Sequence, residues 1–261
     1  MIPIPTYPQG RNLLRDKVVV VTAAAGTGIG SAVAQRALEE GAAVVISDWH
    51  ARRLGETTAE LTGRFGSGVV HEIACDVTDE LQVQALIDGA VERFGRIDVL
   101  VNNAGLGGTR SVLEMTDEEW SRVLDVTLTG TFRVSRAALR RFVEQGGGGA
   151  VVNNASVIGW RAQEGQAHYA AAKAGVMALT RSCAADVAEH GVRVNAVAPS
   201  LAMHPFLAKV TTDELLAELT AREVSGRAAQ PWEVANVIVF LASEYASYLT
   251  GEVISVSSQH A

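Results

Sequence analysis

Short apolar runs rich in valine and isoleucine alternate along the chain with stretches of helical pattern. The runs predict strands at 17–22, 43–47, 68–75, 97–101, 150–155, 192–197 and 253–256. The intervening pattern predicts helices near 28–40, just after 47, near 80–94, from 117 into the 130s, around 169 and from 232. Apolar strands interleaved with helices are typical of a parallel sheet that helices cover on both faces. The pattern therefore predicts a doubly wound α/β fold.

The composition indicates one domain. The 261 residues contain no linker rich in proline, serine or glycine, and 48% of them are apolar against 20% charged. That composition is sufficient for a sizeable core. Three prolines among the first ten residues predict an extended arm. We therefore expect an arm over 1–15 and a single domain over 16–261.

The charge balance argues against several kinds of partner. The chain has 22 basic and 29 acidic side chains, a net charge of −7 and no basic run, so we expect neither nucleic acid nor an anionic membrane surface as a partner. No apolar stretch has the length of a membrane span or of a signal peptide's apolar segment. Cys75 and Cys183 lack metal-ligand spacing, which predicts free thiols, no metal site and a cytoplasmic protein.

Candidate catalytic groups are Ser156, Tyr169 and Lys173. Ser156 follows the apolar run 150–155, and Tyr169 and Lys173 stand four residues apart in an alanine-rich helical stretch, so they share one helix face. A lysine cation near a phenol favours the phenolate and lowers its pKa towards the working pH. We expect Tyr169 to be the general acid and base and Ser156 to donate to the same substrate oxygen. An ordinary solvated helix face is the alternative explanation of a Tyr-x-x-x-Lys pair.

A glycine-rich turn follows the first predicted strand. Gly26-Thr27-Gly28-Ile29-Gly30 leads directly into a helix, where glycines let backbone N–H groups approach a pyrophosphate. Asp48 closes the second strand, where a carboxylate accepts both hydroxyls of an adenine ribose and repels a 2′-phosphate. This position favours NAD as the cofactor, although Arg52 and Arg53 leave NADP open. A simple helix N-cap is the alternative role for Asp48.

Further motifs, taken with these residues, resemble the short-chain dehydrogenase/reductase family over nearly the whole chain. The matching motifs are Gly26–Gly30, Cys75-Asp76-Val77, Asn102-Asn103-Ala104-Gly105, Ser156 with Tyr169 and Lys173, Asn195–Pro199 and Tyr248–Val253. The resemblance implies a sheet of seven parallel strands, a nicotinamide dinucleotide as cofactor, and a dimer or tetramer.

The resemblance also implies roles for individual residues in the cofactor site. It places Asp76 at the adenine amino group with Val77 beside it. It implies that Lys173 binds the nicotinamide ribose as well as tuning Tyr169. The implied lining of the cleft is Asn103, Ala104 and Gly105, and the implied carboxamide site is Pro199 with the following backbone, including Ala202 and His204.

Three positions depart from the family pattern. Thr22 is followed by three alanines instead of a glycine, and the turn is one residue longer, so we expect a different pose or affinity of the cofactor. Thr127 replaces an asparagine that anchors a water relay to the lysine, and its hydroxyl is still able to hold a water. After Pro199, Ser200 and His204 replace a glycine and a carboxamide-binding threonine. His204 either donates the hydrogen bond of that threonine or is a solvent-facing loop residue.

Three segments resemble, more narrowly, actinobacterial members of the family that act in sterol-ring breakdown: 22–30, 153–161 and 253–260. Those members oxidise a secondary alcohol on a hydroindane carboxyl-CoA thioester. The resemblance implies a mostly apolar pocket, a substrate lid over about 201–226, and basic groups that meet the CoA phosphates. The expected pocket residues are Leu106, Trp160, Leu201, Met203, Phe206 and Leu207, and the expected basic groups are Arg161, Lys209 or Arg110. Lid packing and solvated surface are the alternatives for these side chains.

The sequence thus predicts an NAD(P)-dependent oxidoreductase that interconverts a secondary alcohol and a ketone by hydride transfer, on a bulky apolar or acyl-CoA substrate. A 3-oxoacyl-thioester reductase of the fatty-acid type is one alternative. A catalytically silent dinucleotide-binding regulator and a methyltransferase with a similar glycine turn are two others. Neither of these last two needs the set of Ser156, Tyr169 and Lys173.

Overall fold

The structure is a computed structural model that describes residues 2–203 and 213–258. In this described part, seven strands form one parallel sheet. They are β1 (Val18–Val21), β2 (Ala43–Asp48), β3 (Val70–Ala74), β4 (Val99–Asn102), β5 (Gly149–Asn154), β6 (Val192–Pro199) and β7 (Val253–Val256). Their order across the sheet is β3-β2-β1-β4-β5-β6-β7. This order confirms the predicted doubly wound sheet.

Helices connect these strands. Within the described residues they are α1 (Ile29–Glu39), α2 (Ala51–Phe65), α3 (Glu80–Phe94), α4 (Asp117–Leu124), α5 (Gly130–Gln145), α6 (Ala167–Val187), α7 (Asp213–Ala221) and α8 (Pro231–Ala242). The bounds of α3 and β7 are those that the sequence pattern predicts. The long helix predicted from residue 117 is present as α4 and α5, which a π-helical turn at Asp125–Thr129 joins without a break.

The side chains of β1 show how the sheet is covered. Val19 and Val21 pack with apolar side chains of α1, α2 and α8, whereas Val18 and Val20 pack with those of α3, α5 and α6. Successive side chains of a strand point to opposite faces, so four consecutive valines need apolar cover on both sides. Helices on both faces of the sheet confirm the predicted layers.

The strand order changes direction between β1 and β4, and this leaves a crevice at the carboxyl ends of the strands. The hydroxyl of Thr22, directly after β1, accepts the backbone N–H groups of Asn103 at 3.0 Å and Ala104 at 3.1 Å. These bonds hold the loop after β4 against the end of β1. The crevice therefore has a fixed floor beside the glycine turn.

The residues before β1 form an arm along α1. The guanidinium of Arg36 donates to the carbonyl oxygen of Pro8 at 2.6 Å. The carboxylate of Glu40 accepts the N–H groups of Arg11 at 2.7 Å and Leu13 at 2.9 Å. Arg36 and Glu40 are buried and form an ion pair. Because buried charges need hydrogen-bond partners, the backbone of the arm satisfies part of this pair.

Candidate active site

The glycine turn between β1 and α1 has an open side and a crowded side. Gly26 has a φ of +92°, a conformation that glycine adopts without strain. A Cβ on Gly26 or Gly28 would meet no atom within 4 Å. A Cβ on Gly30 would instead lie 2.3 Å from the carbonyl oxygen of Ala23 and 2.5 Å from the side-chain nitrogen of Asn103. Glycine at residue 30 therefore lets α1 pack closely, while the other two leave space for a ligand.

Helix α1 begins without a side-chain cap. Gly28 is its N-cap, no side chain accepts a hydrogen bond there, and its first turn carries no acidic residue. The first N–H groups and the positive end of the helix dipole are therefore not neutralised locally. With the open space beside Gly26 and Gly28, this helix start fits the pyrophosphate of a dinucleotide.

Ala23 takes the place of the family's first glycine. It adopts a left-handed conformation with a φ of +49°, which costs a residue with a Cβ about 1 kcal/mol. Its carbonyl oxygen accepts the side-chain N–H of Asn103 at 3.0 Å. This hydrogen bond to the loop after β4 stabilises the strained conformation. Ala23 thus adopts a backbone conformation that glycine adopts more readily than alanine.

The carboxylate of Asp48 lies at the end of β2 and contacts the glycine turn. Its oxygens accept the backbone N–H of His50 at 2.9 Å and that of Ala25 at 3.4 Å. A guanidinium nitrogen of Arg53 lies 3.7 Å from Oδ1 of Asp48. The N-cap of α2 is His50, whose imidazole accepts the N–H of Arg53. Asp48 is therefore not the N-cap of α2.

The loop after β3 carries Asp76 and Val77. The side chain of Asp76 accepts the backbone N–H of Thr78 at 2.9 Å and the hydroxyl of Thr78 at 2.8 Å. Val77 is buried against α5, since a Cβ on Gly130 would lie 2.7 Å from its Cγ2. The loop is therefore held in place, with Asp76 half-buried at the carboxyl end of β3.

Asn103 joins the ends of three strands. Its side-chain nitrogen donates to Ala23 after β1, and its side-chain oxygen accepts the amide of Asn154, the last residue of β5, at 2.9 Å. Two residues later, a Cβ on Gly105 would lie 3.3 Å from Nζ of Lys173. The loop after β4 therefore connects the glycine turn with the candidate catalytic residues.

The structure brings Ser156, Tyr169 and Lys173 together. Ser156 is buried just after β5, and its hydroxyl lies near enough to Tyr169 to lower the pKa of the phenol. Lys173 follows Tyr169 by one turn of α6, and its ammonium nitrogen lies 5.6 Å from the centroid of the Tyr169 ring. The same nitrogen donates to the carbonyl oxygen of Asn154. The helix spacing and the end of β5 thus produce the predicted cluster.

Burial governs the protonation of this cluster. Loss of water around the phenol raises the pKa of Tyr169 to about 12, and the nearby hydroxyl of Ser156 opposes this only in part. Burial lowers the pKa of Lys173 to about 8. The predicted lowering of the Tyr169 pKa is wrong for this structure, because desolvation of the phenol is the largest contribution to its pKa. At neutral pH, Tyr169 is therefore a protonated phenol that can donate to a substrate oxygen.

Thr127, in the π-helical turn, is fully buried and holds Leu106. Its hydroxyl donates to the carbonyl oxygen of Leu106 at 3.1 Å and accepts the N–H of Leu106 at 2.9 Å. The hydroxyl proton is therefore used by the backbone of the loop after β4 and is not offered to a water. This pairing fixes the loop where it passes Lys173.

Asn154 is a site residue that the sequence interpretation missed. Its carbonyl oxygen accepts the ammonium of Lys173, and its amide nitrogen donates to Asn103. Its side-chain oxygen is buried and accepts no hydrogen bond from the described residues. The signal in the sequence is the polar pair Asn153-Asn154 at the end of an apolar run, where polar side chains need partners.

The other predicted contacts lie in different places. Pro199 is the last residue of β6, and Ala202 is buried and bridges to Ala229. Trp160 is 49% exposed. The half-buried residues among the predicted pocket are Leu106, Arg161, Leu201 and Met203. His204, Phe206, Leu207 and Lys209 lie outside the described residues.

Arg110 is engaged by neighbouring acidic groups. Its guanidinium lies 3.1 Å from Oε1 of Glu119 and 4.0 Å from Oε2 of Glu114. Its backbone N–H donates to the carbonyl oxygen of Gly165 at 2.8 Å, which joins the loop after β4 to the loop before α6. A CoA phosphate would have to compete with Glu119 for this side chain.

Comparisons with known proteins agree with this geometry. A family profile described as enoyl-(acyl carrier protein) reductase matches residues 23–258. The (5R,7aS)-5-hydroxy-7a-methyl-1-oxo-2,3,5,6,7,7a-hexahydro-1H-indene-carboxyl-CoA reductase of Mycobacterium tuberculosis is 66% identical over 98% of this chain and 97% of that protein. A 3-oxoacyl-[acyl-carrier-protein] reductase of Thermotoga maritima is 38% identical over 93% of this chain and 97% of that protein.

A solved structure gives the same result for the fold. The crystal structure of a short chain dehydrogenase from Mycobacterium smegmatis has a TM-score of 0.88 and 58% sequence identity to this chain, and the match covers 99% of both chains. The protein is therefore an oxidoreductase that interconverts alcohol and carbonyl groups with a nicotinamide dinucleotide, and it belongs to the short-chain dehydrogenase/reductase family.

Proposed function

We propose that Tyr169 exchanges a proton with the substrate oxygen while Ser156 holds that oxygen in place. The observation that carries this proposal is the proximity of Ser156 and Lys173 to the Tyr169 phenol in one buried cluster. A substrate carbonyl that enters between Ser156 and Tyr169 accepts from both hydroxyls. The alkoxide that forms on reduction is more basic than a phenolate, so Tyr169 donates its proton favourably. In oxidation the phenolate oxygen of Tyr169 takes the proton from the substrate hydroxyl.

Lys173 stabilises the charge that this proton transfer leaves on Tyr169. The Lys173 ammonium lies 5.6 Å from the ring centroid and is held by the carbonyl oxygen of Asn154. A cation at this distance favours the phenolate over the phenol in a site of low water content. Lys173 thereby lowers the barrier in the direction in which Tyr169 loses its proton.

The crevice fits a nicotinamide dinucleotide, which when bound supplies or accepts the hydride. The open glycine turn and the uncapped start of α1 support a pyrophosphate site. The residues that would hold the pyrophosphate are Gly26, Thr27, Gly28, Ile29 and Gly30. Those that would hold the adenosine are Asp48, Asp76 and Val77. Those that would hold the nicotinamide and its ribose are Asn103, Ala104, Gly105, Lys173, Pro199 and Ala202. Because the carboxylate of Asp48 repels a 2′-phosphate, NAD is the preferred cofactor over NADP.

For the substrate, we propose a hydroindane carboxyl-CoA thioester with a secondary alcohol or ketone on its ring system. The 66% identity to the reductase of M. tuberculosis, over almost the whole of both chains, is the main support. Trp160, Leu106 and Leu201 are exposed or half-exposed apolar side chains that suit a fused ring system. The segment 201–226 is proposed as the substrate lid, of which 201–203 and 213–226 are described.

The test is turnover of a hydroindane carboxyl-CoA thioester, followed by absorbance of the reduced nicotinamide. Purified protein is given NADH or NADPH with the ketone, and NAD or NADP with the alcohol. Rapid turnover with NAD(H), and loss of turnover in Tyr169→Phe with cofactor affinity unchanged, is the expected result. Equal turnover by Tyr169→Phe contradicts the assignment of Tyr169. Binding of NADH without turnover of any substrate points to the regulator, and preferential binding of S-adenosylmethionine points to the methyltransferase.

A 3-oxoacyl-thioester reductase is the second candidate. The 38% identity to the T. maritima acyl-carrier-protein reductase, over 93% of this chain, favours it. The two substrates share a thioester but differ in the shape of the acyl group. A direct comparison of kcat/KM on a linear 3-oxoacyl-CoA and on the hydroindane thioester separates them. A higher kcat/KM on the linear 3-oxoacyl-CoA would identify the protein as a 3-oxoacyl-thioester reductase instead.

We also infer that the protein works as a homo-oligomer. A surface groove of about 460 Å³ runs between α5 and α6, and apolar Phe132, Leu139 and Val143 are among its lining residues. Exposed apolar surface between two helices suits a second copy of the same chain. Light scattering at several protein concentrations tests this inference, and a monomer at all of them refutes it.

For location we propose the cytoplasm. Cys75 and Cys183 are both free thiols, as expected in a reducing compartment. Among the described helices none is long and apolar enough to cross a membrane. Fractionation of the source cells, with the protein followed by antibody, tests the proposal.

A further inference from the structure

Glu223 is a buried carboxylate away from the catalytic cluster. It follows α7 by two residues and is 4% exposed. Its Oε1 accepts the backbone N–H of Leu201 at 3.3 Å, and its Oε2 accepts the hydroxyl of Ser258 at 2.8 Å. A carboxylate out of water needs such donors. Leu201 and Ser258 belong to segments that are far apart in the sequence.

These two partners lie just beyond adjacent strands. Leu201 follows the end of β6 by two residues, and Ser258 follows the end of β7 by two residues. The N–H of Ser200 donates to Val256 at 3.2 Å, and the N–H of Val224 donates to Ser258 at 3.0 Å. Glu223 therefore lies at a junction of three segments: the exit of β6, the tail after β7 and the turn after α7.

The turn after α7 is held from two further sides. Its Ser225 shares a hydrogen bond of 2.9 Å with the hydroxyl of Ser258 and accepts the N–H of Ile2, in the arm, at 2.8 Å. The N–H of Ala229 donates to Leu201 at 2.8 Å. The junction is thus anchored to the arm and to the sheet, and Glu223 supplies the carboxylate at its centre.

We propose that Glu223 is a positioning residue for the nicotinamide end of the cofactor site. It acts on the backbone from Pro199 to Ala202, which leaves β6 at the edge of the crevice. The proposal rests on the proposed function, in which Pro199 and Ala202 hold that end of the cofactor. By fixing the N–H of Leu201, the carboxylate of Glu223 sets the direction in which this backbone leaves the sheet.

Glutamine is the informative substitution at this position. The amide oxygen of Glu223→Gln can still accept the N–H of Leu201. Its NH₂ group can donate to Ser258, whose hydroxyl then donates to Ser225. The hydroxyl proton of Ser225 is then left for the carbonyl oxygen of Arg227 at 3.1 Å. The hydrogen bonds of residue 223 to Leu201 and Ser258 are then kept, with the hydroxyl of Ser258 reversed. Glu223→Ala removes both acceptors at once.

The experiment compares Glu223→Ala, Glu223→Gln and a control, Glu40→Gln, in the full-length protein. Glu40 is also a buried carboxylate that accepts backbone N–H groups, but it lies at the arm. Thermal unfolding, the Kd of NADH by fluorescence, and KM and kcat are measured for each variant. We expect Glu223→Ala to raise the Kd and KM of the cofactor about tenfold, with a much smaller change in kcat. We expect Glu223→Gln to stay within about threefold of the unmodified protein, and Glu40→Gln to change Tm alone.

An equal loss of Tm in Glu223→Ala and Glu40→Gln, with the cofactor Kd unchanged in both, overturns the proposal, because Glu223 is then only structural. If Glu223→Ala does not fold, Ser258→Ala decides, since it removes one donor. A cofactor Kd raised about threefold in Ser258→Ala supports the proposal, and an unchanged Kd overturns it. Failure of the proposed function is a separate result, because it appears as unchanged turnover in Tyr169→Phe.

Discussion

The ammonium nitrogen of Lys173 lies 5.6 Å from the centroid of the Tyr169 ring, one turn along the same helix. A cation within about 6 Å of an aromatic face is attracted by its quadrupole. Burial raises the pKa of Tyr169 to about 12 and lowers that of Lys173 to about 8. The pair therefore carries one positive charge below pH 8 and becomes neutral as the pH rises above it.

This change of charge predicts a pH dependence of activity. We expect kcat/KM for ketone reduction to fall as the pH rises through about 8, because neutral Lys173 no longer stabilises the phenolate that Tyr169 becomes. Initial rates from about pH 6 to about pH 10 measure this. Lys173→Arg is the control, since a guanidinium stays charged over the whole range. An identical fall near pH 8 in Lys173→Arg would show that another group titrates.

The lowered pKa of Lys173 also predicts a cost to stability. The folded protein binds this proton less tightly than the unfolded chain, whose lysine has the ordinary pKa of 10.5. The free energy of unfolding is therefore reduced below pH 8 and recovers as the pH rises from about 8 to about 10.5. We expect Lys173→Met to raise the free energy of unfolding at neutral pH by about 1–2 kcal/mol while abolishing turnover.

Urea unfolding at neutral pH and at about pH 10 measures the effect of Lys173→Met. The gain over the unmodified protein should shrink at the higher pH, where Lys173 is neutral in the folded state. Lys17→Met is the control, because the Lys17 side chain is 39% exposed and pairs only at 3.7 Å with Glu244. A gain that is equal at both pH values would count against burial as its cause.

The third prediction concerns Thr127, which affects stability and activity through the loop after β4. Thr127→Val keeps the shape of the side chain but removes the bonds to the N–H and the carbonyl of Leu106. Leaving these groups unpaired should lower the free energy of unfolding by about 1–3 kcal/mol. It should also lower kcat/KM about tenfold, since the loop passes Lys173. Thr127→Ser keeps the hydroxyl and should behave almost like the unmodified protein.

Urea unfolding and steady-state kinetics on both Thr127 variants check this prediction. A valine variant with full activity would mean that the loop after β4 keeps its place without the hydroxyl. A serine variant as weak as the valine variant would mean that the methyl group of Thr127, and not its hydroxyl, is what the site requires.

The strands are predictable from the sequence because each is a short apolar run bounded by polar or glycine-rich turns. The relation of Tyr169 to Lys173 is predictable for a similar reason, since a four-residue step fixes their placement on a helix. Ser156 joins them because it follows the strand β5, which pairs with β4 beside the crevice. These features depend on local patterns and on the regular geometry of parallel sheets.

The features that the sequence does not reveal depend on contacts between distant segments. The pKa of Tyr169 is set by burial, to which distant segments contribute: a Cβ on Gly107 would lie 3.7 Å from Cδ2 of Tyr169. The role of Thr127 depends on a hydrogen bond to Leu106, 21 residues away. The π-helical turn at Asp125–Thr129 has no signal in a hydrophobic pattern, because one extra residue in a turn leaves the composition of the helix unchanged.

The fourth prediction concerns the effect of Ala23, in the glycine turn, on the free energy of unfolding. Ala23→Gly removes the Cβ from a residue with a φ of +49°. Relief of this strain should raise the free energy of unfolding by about 0.5–1 kcal/mol. The greater freedom of glycine in the unfolded chain reduces that gain. Thermal unfolding measures the gain. Ala25→Gly is the control, as Ala25 has no positive φ and should only lose stability. A loss of stability in Ala23→Gly would mean that the fold absorbs the strain at no cost.

Asp48 and Arg53 together predict the choice between NAD and NADP. The guanidinium of Arg53 lies 3.7 Å from the Asp48 carboxylate. In Asp48→Ala this cation loses its acidic neighbour and is placed to meet a 2′-phosphate. We expect the ratio of kcat/KM for NADPH to that for NADH to rise about tenfold or more.

The ratio is the right measurement, because Asp48 also accepts the N–H groups of Ala25 and His50. Loosening of the glycine turn weakens both cofactors equally and cancels in the ratio. The double variant Asp48→Ala/Arg53→Ala is the control and should lose most of the gain for NADPH, because no cation then faces the 2′-phosphate. An unchanged ratio in Asp48→Ala would show that the carboxylate only supports the turn, and that it does not select the ribose.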